Sequence, residues 1–203
     1  CLIRPIFSGQ LQFVFRDIGT DDMGHTFPGA TAPFGLVQLS PQTDLVPYSF
    51  GDGYNPETYR YCSGYQYGDS TIVGFAHTHF SGTGHSDLGD LLVMPTVGAL
   101  QLEPGTSEEP ESGYRSRFSH ERESAEPGAY RVVLDDDGIE VELTATERTG
   151  HHRYRFPRVR PAHLIVDLAR RLAGTCSFLL VGGGRDWARM RDTVTRLGLR
   201  HVH

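Results

Sequence analysis

Three histidines, His77, His79 and His85, fall within nine residues, in a stretch that also supplies Tyr61, Cys62, Ser81, Gly82, Thr83 and Asp87. Imidazole, hydroxyl, thiol and carboxylate groups at this density support three kinds of chemistry: metal ligation, nucleophilic catalysis and recognition of a polyol. Two imidazoles two apart on a strand project to one face and can share a metal. The metallo-hydrolase pattern HxHxDH, however, needs an acid and a histidine where this chain has Ser81 and Gly82. A cupin-type site needs a Glu near Thr83 and Gly84. A nucleophilic Ser81 or Thr83 would lack the GxSxG elbow that exposes such a hydroxyl on a strand-turn-helix corner. Polyol recognition explains the mixture best. Histidine nitrogens, hydroxyls, Asp87 and glycine amides offer both donors and acceptors, and Tyr61, Tyr65, Tyr67 and Phe80 offer rings for the apolar face of a sugar. For either His77 or His79 alone, an interior imidazole bonded to nearby backbone is an equal alternative. Cys62 reads either as a ligand-facing thiol or as a small buried hydrophobe. With Cys1 and Cys176 it forms neither a CxxC pair nor a zinc spacing.

The elements that must position these groups are strands. Thr71 to Ala76 is a short apolar run, read as a buried strand that delivers His77 and His79 at its end. Upstream, 11–16 and 34–39 read as strands, and 41–59, rich in Pro, Gly, Asp and Tyr, reads as a surface loop. Downstream, the acidic 103–112 reads as a solvated loop. Strand signals then recur at 114–118, 129–134, 139–145, 152–156 and 163–168. Asp135, Asp136 and Asp137 before Gly138 mark a hairpin turn between two of them, not a cation site. Short strands separated by turns, with no amphipathic helix between them, predict an all-β fold, an antiparallel β-sandwich. After residue 169, Trp187, Met190, Val194 and Leu197 fall at helical spacing and predict a short C-terminal helix. Gly182–Gly184 ahead of it lacks the GxGxxG fingerprint of a phosphate loop.

Residues 1–169 carry 12 Arg against 23 acidic residues, which argues against a nucleic-acid partner. No run approaches the roughly 18 apolar residues of a membrane span. Asn55 precedes Pro56, so it forms no glycosylation sequon. No signal peptide is visible, and in a chain whose first methionine is Met23 that says nothing about the compartment.

Several ordered motifs together resemble the N-terminal domain of glycoside hydrolase family 92. They are Gly24-His25-Thr26-Phe27-Pro28-Gly29-Ala30-Thr31, Pro33-Phe34-Gly35, Gln38-Leu39-Ser40-Pro41, Cys62-Ser63-Gly64-Tyr65, Gly74-Phe75-Ala76-His77-Thr78-His79, Ser81-Gly82-Thr83-Gly84 and Asp87-Leu88-Gly89-Asp90. Tyr114 to Glu121, Ala125 to Gly128 and Glu142 to Thr146 continue the likeness, which spans 17–168. Residues 1–16 and 169–203 match nothing in the pattern and are expected to be products of a truncated or shifted reading frame.

The resemblance implies a fragment of a calcium-dependent, exo-acting α-mannosidase that cleaves terminal mannose from glycans with inversion. In that family a β-sandwich is followed by an (α/α)6 barrel. An inverting mechanism uses an acid and a base, roughly 6.5–9.5 Å apart. The family places both, and its calcium ligands, in the barrel. Asp87, Asp90 and Glu121 therefore receive no catalytic role, and the chain alone is expected to be inactive. Its expected part is one wall of the cleft, built from Tyr61, Cys62, His77, His79, Ser81, Gly82, Thr83 and Asp87. The family usually carries Trp where this chain has Tyr61, which bears on the leaving-group subsite. Mannose-containing glycans and the barrel are the implied partners, and a secreted, periplasmic or cell-surface location is the implied compartment. A sandwich without its barrel exposes apolar surface, so poor solubility is expected of the isolated chain.

Overall fold

Ile139, Val141 and Leu143 alternate with Glu140, Glu142 and Thr144, and in the structure the first three are buried while Glu140 is exposed. The structure is a computed structural model and describes residues 18–46, 49–50, 53–79, 89–158 and 160–167. All of these lie in the first of two compact units, Cys1–Leu168 and Ala169–His203. The expected strand at 11–16, the loop from Phe80 to Leu88 and the C-terminal helix lie outside the described residues.

Thirteen short strands follow in chain order among the described residues. The first six are β1 (Ala30–Thr31), β2 (Gln38–Gln42), β3 (Ser49–Phe50), β4 (Gly53–Tyr54), β5 (Thr71–Ile72) and β6 (Gly74–Ala76). The others are β7 (Leu92–Val97), β8 (Ser116–Arg117), β9 (Ser124–Glu126), β10 (Ala129–Leu134), β11 (Ile139–Ala145), β12 (Gly150–Arg155) and β13 (Ala162–Asp167). Five form a sheet in the order β1-β2-β6-β7-β13, and four form a second in the order β12-β11-β10-β9. Every pairing is antiparallel. The helical pieces are α1 (Glu57–Arg60) and two single 3-10 turns, Pro110–Ser112 and His120–Arg122.

The two larger sheets share one apolar core. Leu39, Phe75, Leu92 and Met94 come from the first, and Tyr130, Val132, Leu134, Ile139, Val141 and Leu143 from the second. Phe75 and Tyr130 meet across it with ring centroids 6.5 Å apart. Each fully buried side chain of this kind contributes about 1.5–3 kcal/mol, so burial of the alternating residues is what selects the register. The turn between β10 and β11 forms where the Asp triplet predicts it. Gly138 closes it at φ +65°, a conformation that side chains with a Cβ disfavour. On the outer face Arg153–Glu142 and Arg155–Glu140 form exposed ion pairs of small energetic value.

Three expectations shift. The strand read at 34–39 begins only at Gln38, because Phe34 turns out into solvent at φ +58°. It runs on through Pro41 and Gln42, which are buried and pair with Phe75 and Gly74, so the stretch after Leu39 is not wholly a surface loop. Thr71 to Ala76 is not one strand: β5 pairs with β8, whereas β6 pairs with β2 and β7. The change at Val73 lets one short run serve two sheets.

Candidate active-site wall

His77 and His79 leave β6 at the end of the first sheet, but their rings part company. β6 lies between β2 and β7. His79 Nδ1 sits 2.8 Å from the carbonyl of Gln38 on the β2 side, and its buried ring packs against Phe27, centroids 4.8 Å apart. His77 Nδ1 sits 2.8 Å from the carbonyl of Leu91, just before β7. The two-residue spacing predicts one shared face, and it fails because the strand stops at Ala76 and the regular alternation stops with it. The turn between them is stitched down on both flanks. The Gln38 amide donates to the His77 carbonyl at 2.8 Å, the His77 amide to the Asp90 carbonyl at 3.0 Å, and the Asp90 amide to Thr78 Oγ1 at 3.2 Å.

The Tyr61–Cys62 turn follows α1. Tyr61 is half-buried, and its hydroxyl reaches both carboxylate oxygens of Asp69 at 3.1 and 3.0 Å. Burial first, and the Asp69 charge second, push this phenol well above the usual tyrosine range, so it stays a protonated donor. Cys62 is buried in the interior. The segment from Gly24 to Phe27 joins this turn to His79. Ser63 Oγ donates to the Thr26 carbonyl at 3.1 Å, His25 stands edge-on to Tyr59 at 4.5 Å, and Phe27 covers His79. His25 is buried at φ +54°, and its Nε2 has no partner among the described residues. Of the eight expected wall residues, Tyr61, Cys62, His77 and His79 lie among the described residues, linked through the Gly24–Phe27 segment; Cys62 and His79 are buried, and Tyr61 and His77 are partly exposed. Ser81, Gly82, Thr83 and Asp87 lie outside the described residues.

Sequence reasoning missed two residues here. His152 and Tyr154 point inward from β12, and His152 Nε2 lies 3.1 Å from His77 Nε2. The alternation of Gly150, His152 and Tyr154 with exposed His151, Arg153 and Arg155 is a signal for the inward face. It carries no signal for His77 as partner, 75 residues away. Burial, then the neighbouring His77 and His151, push His152 down to about 4 from an ordinary histidine value. An unfolded chain would take up this proton near pH 6.5, while the folded chain refuses it until about pH 4. Stability from this group is therefore complete above pH 6.5 and lost progressively as pH falls to 4. Urea midpoints measured across that window should fall with pH, and His152→Gln should flatten the slope. An equal slope in both proteins would contradict the assignment.

Among the described residues, no three of His, Cys, Asp or Glu converge where a metal ion could sit. They do not fit calcium, which takes six to eight oxygen ligands. No helix among them is long and apolar enough to cross a membrane.

The family model described as "Glycosyl hydrolase family 92 N-terminal domain" matches residues 13–192. The family GH92 α-mannosidase BT3965 from Bacteroides thetaiotaomicron, solved in complex with mannoimidazole, is 44% identical. The alignment covers 75% of this chain and 19% of that one, at a TM-score of 0.67. The family GH92 inverting mannosidase BT2199 from the same organism is 25% identical over 73% of this chain and 18% of its own, at a TM-score of 0.51. An "uncharacterized secreted glycosidase" of Arthroderma benhamiae is 28% identical over 156 residues, which are 72% of this chain and 17% of that protein. The chain thus spans under a fifth of the length of each of these relatives. A family match across most of the sequence, with strands in the expected antiparallel sheets, places the chain in glycosyl hydrolase family 92, where it corresponds to the N-terminal domain.

Proposed function

We propose that this chain is the sandwich part of an inverting α-mannosidase that removes terminal α-linked mannose from glycans, and that it forms one wall of the substrate cleft. The likeness to BT3965, 44% identical over three quarters of the chain and solved with mannoimidazole, carries this reading. On this reading, which follows the family resemblance, the acid, the base and the calcium are assigned to an (α/α)6 barrel, and no described carboxylate is given a part in proton transfer. Export fits the secreted relative from Arthroderma benhamiae.

The wall's own chemistry is orientation. Tyr61 keeps its ring half-exposed with the hydroxyl held by Asp69, a geometry suited to packing on the apolar face of a pyranose. The turn from His77 to His79 is pinned on both flanks and leads directly, in sequence, into the glycine-rich segment 81–84. A group at such a surface improves the reaction by holding substrate near its attacking water.

The chain alone should not turn over an aryl α-mannoside, and calorimetry with mannose and α-mannobiose should show at most millimolar affinity. Turnover would refute its dependence on the barrel, and micromolar binding would make it a stand-alone carbohydrate-binding module. Joined to a family 92 barrel, the chain carrying His77→Ala and His79→Ala should show a KM raised about tenfold, equivalent to about 1.4 kcal/mol. Unchanged kinetics would take this turn out of the cleft.

A further inference from the structure

Two histidines from different sheets meet nitrogen to nitrogen behind the proposed wall. His77 and His152 bring their Nε2 atoms within 3.1 Å, with ring centroids 4.8 Å apart. Each remaining ring nitrogen is also engaged: His77 Nδ1 with the Leu91 carbonyl at 2.8 Å, and His152 Nδ1 with the Tyr154 hydroxyl at 2.7 Å. Donor directions follow from the first of these. A carbonyl only accepts, so His77 Nδ1 carries its hydrogen, and in a neutral ring His77 Nε2 is then an acceptor. The hydrogen between the rings must come from His152 Nε2. That leaves His152 Nδ1 unprotonated, and it accepts the Tyr154 O–H. The chain therefore runs one way, from Tyr154 to His152 to His77 to Leu91, with the two imidazoles in opposite tautomers.

Leu91 holds the far end at φ +53°, a left-handed backbone region that a residue with a branched side chain adopts only where its surroundings hold it there. Its carbonyl is the group that receives His77. One added proton fits this chain without breaking it, because Tyr154 can turn from donor to acceptor as His152 Nδ1 gains a hydrogen. A second would set two N–H groups face to face. Among the described residues, Tyr154 on β12 bonds the pair, Leu91 offers only its backbone, and His151, exposed on the other face of β12, is a nearby titratable group.

We infer that His152 and Tyr154 are positioning residues for the substrate wall, holding His77 in its Nδ1–H tautomer with its Nε2 turned toward the second sheet. This rests on the wall reading given above. It changes what His77 does there: both ring nitrogens are spent inside the protein, so His77 seats the Thr78–His79 turn and does not itself bond a sugar hydroxyl. The link also ties the outermost strand of the second sheet to the exit of β6, which places wall geometry under the control of a residue 75 positions away.

Nitrogen-15 NMR of the histidine-labelled 203-residue chain near neutral pH tests the chain of bonds directly. The expected result is Nδ1–H for His77, Nε2–H for His152, and a scalar coupling between their Nε2 nuclei through the shared hydrogen. His152→Gln keeps an N–H donor at that position and should leave the His77 tautomer intact, whereas His152→Leu should shift the His77 Nε2 signal. Matching tautomers, absence of the coupling, or stoichiometric micromolar zinc uptake shifting both rings would overturn the inference. Joined to a family 92 barrel, His152→Leu and Tyr154→Phe should raise KM severalfold with kcat little changed, and His152→Gln should restore it. If His77→Ala raises KM but His152→Leu does not, the positioning role fails while the wall stands. If neither does, the wall reading fails with it.

Discussion

Gly29→Ala should strongly destabilise the first sheet. A Cβ built at Gly29 would lie 2.0 Å from the Leu39 carbonyl oxygen, 2.8 Å from the Leu39 carbonyl carbon and 2.5 Å from Ser40 Cβ. The obstacle is mostly backbone, so no rotamer change relieves it. Relief would require β1 to move off β2, where Ala30 pairs with Leu39. Leu39 is wholly buried and belongs to the shared core, so that movement would also open the core. The cost is about 3 kcal/mol or more, at the upper end of overpacking, against a total stability of about 5–15 kcal/mol for a domain. Circular dichroism during urea unfolding gives the measurement. A midpoint within error of the parent would mean the two strands are not packed as described.

Glu123→Leu should cost about 3–5 kcal/mol, the scale for stripping one partner from a buried charged network. The Glu123 side chain is 8% exposed. Its carboxylate accepts from Tyr130 at 2.6 Å and from Tyr65 at 3.0 and 3.1 Å, and it lies 2.6 Å from His120 Nδ1. Tyr130 is fully buried. Burial first, then the Glu123 charge, hold its phenol far above the ordinary tyrosine range, so it remains a donor that needs this acceptor. Leucine would leave two interior hydroxyls facing an apolar side chain. Glu123→Gln keeps an acceptor oxygen and should lose only about 1–2 kcal/mol, on the scale of a charge-assisted bond reduced to a neutral one. Comparing the two by urea denaturation separates acceptor from packing: equal losses would show that the lost charge, not the lost acceptor, dominates. A neutral effect of leucine would remove Glu123 from the list of stabilising groups.

The network explains an arrangement that local pattern cannot. Tyr65 belongs to the turn after α1, Glu123 follows a 3-10 turn, and Tyr130 lies on β10, so one carboxylate joins the Tyr61–Cys62 turn to the second sheet. Charge at 123 and imidazole at 152 thus perform similar tasks in different places: each ties a piece of the proposed wall to the sheet behind it.

What the residues alone determined is the part of the protein decided by neighbours in sequence. Alternation in 129–134 and 139–145, with Asp135 to Gly138 between them, specifies a hairpin because side-chain period and turn chemistry act within a few residues. The order of motifs from Gly24 to Asp90 likewise identified the family. Tertiary structure decided where strands begin and break, as at Phe34 and Val73, because pairing partners and left-handed backbone at a particular residue depend on what packs there. It also decided how the histidines are used. Their types and spacing drew attention to this stretch, but the acceptor for His79 is 41 residues away and the ring nitrogen that meets His77 is 75 residues away. A hydrogen bond needs its two atoms within about 3 Å, and only the folded chain brings such distant groups that close.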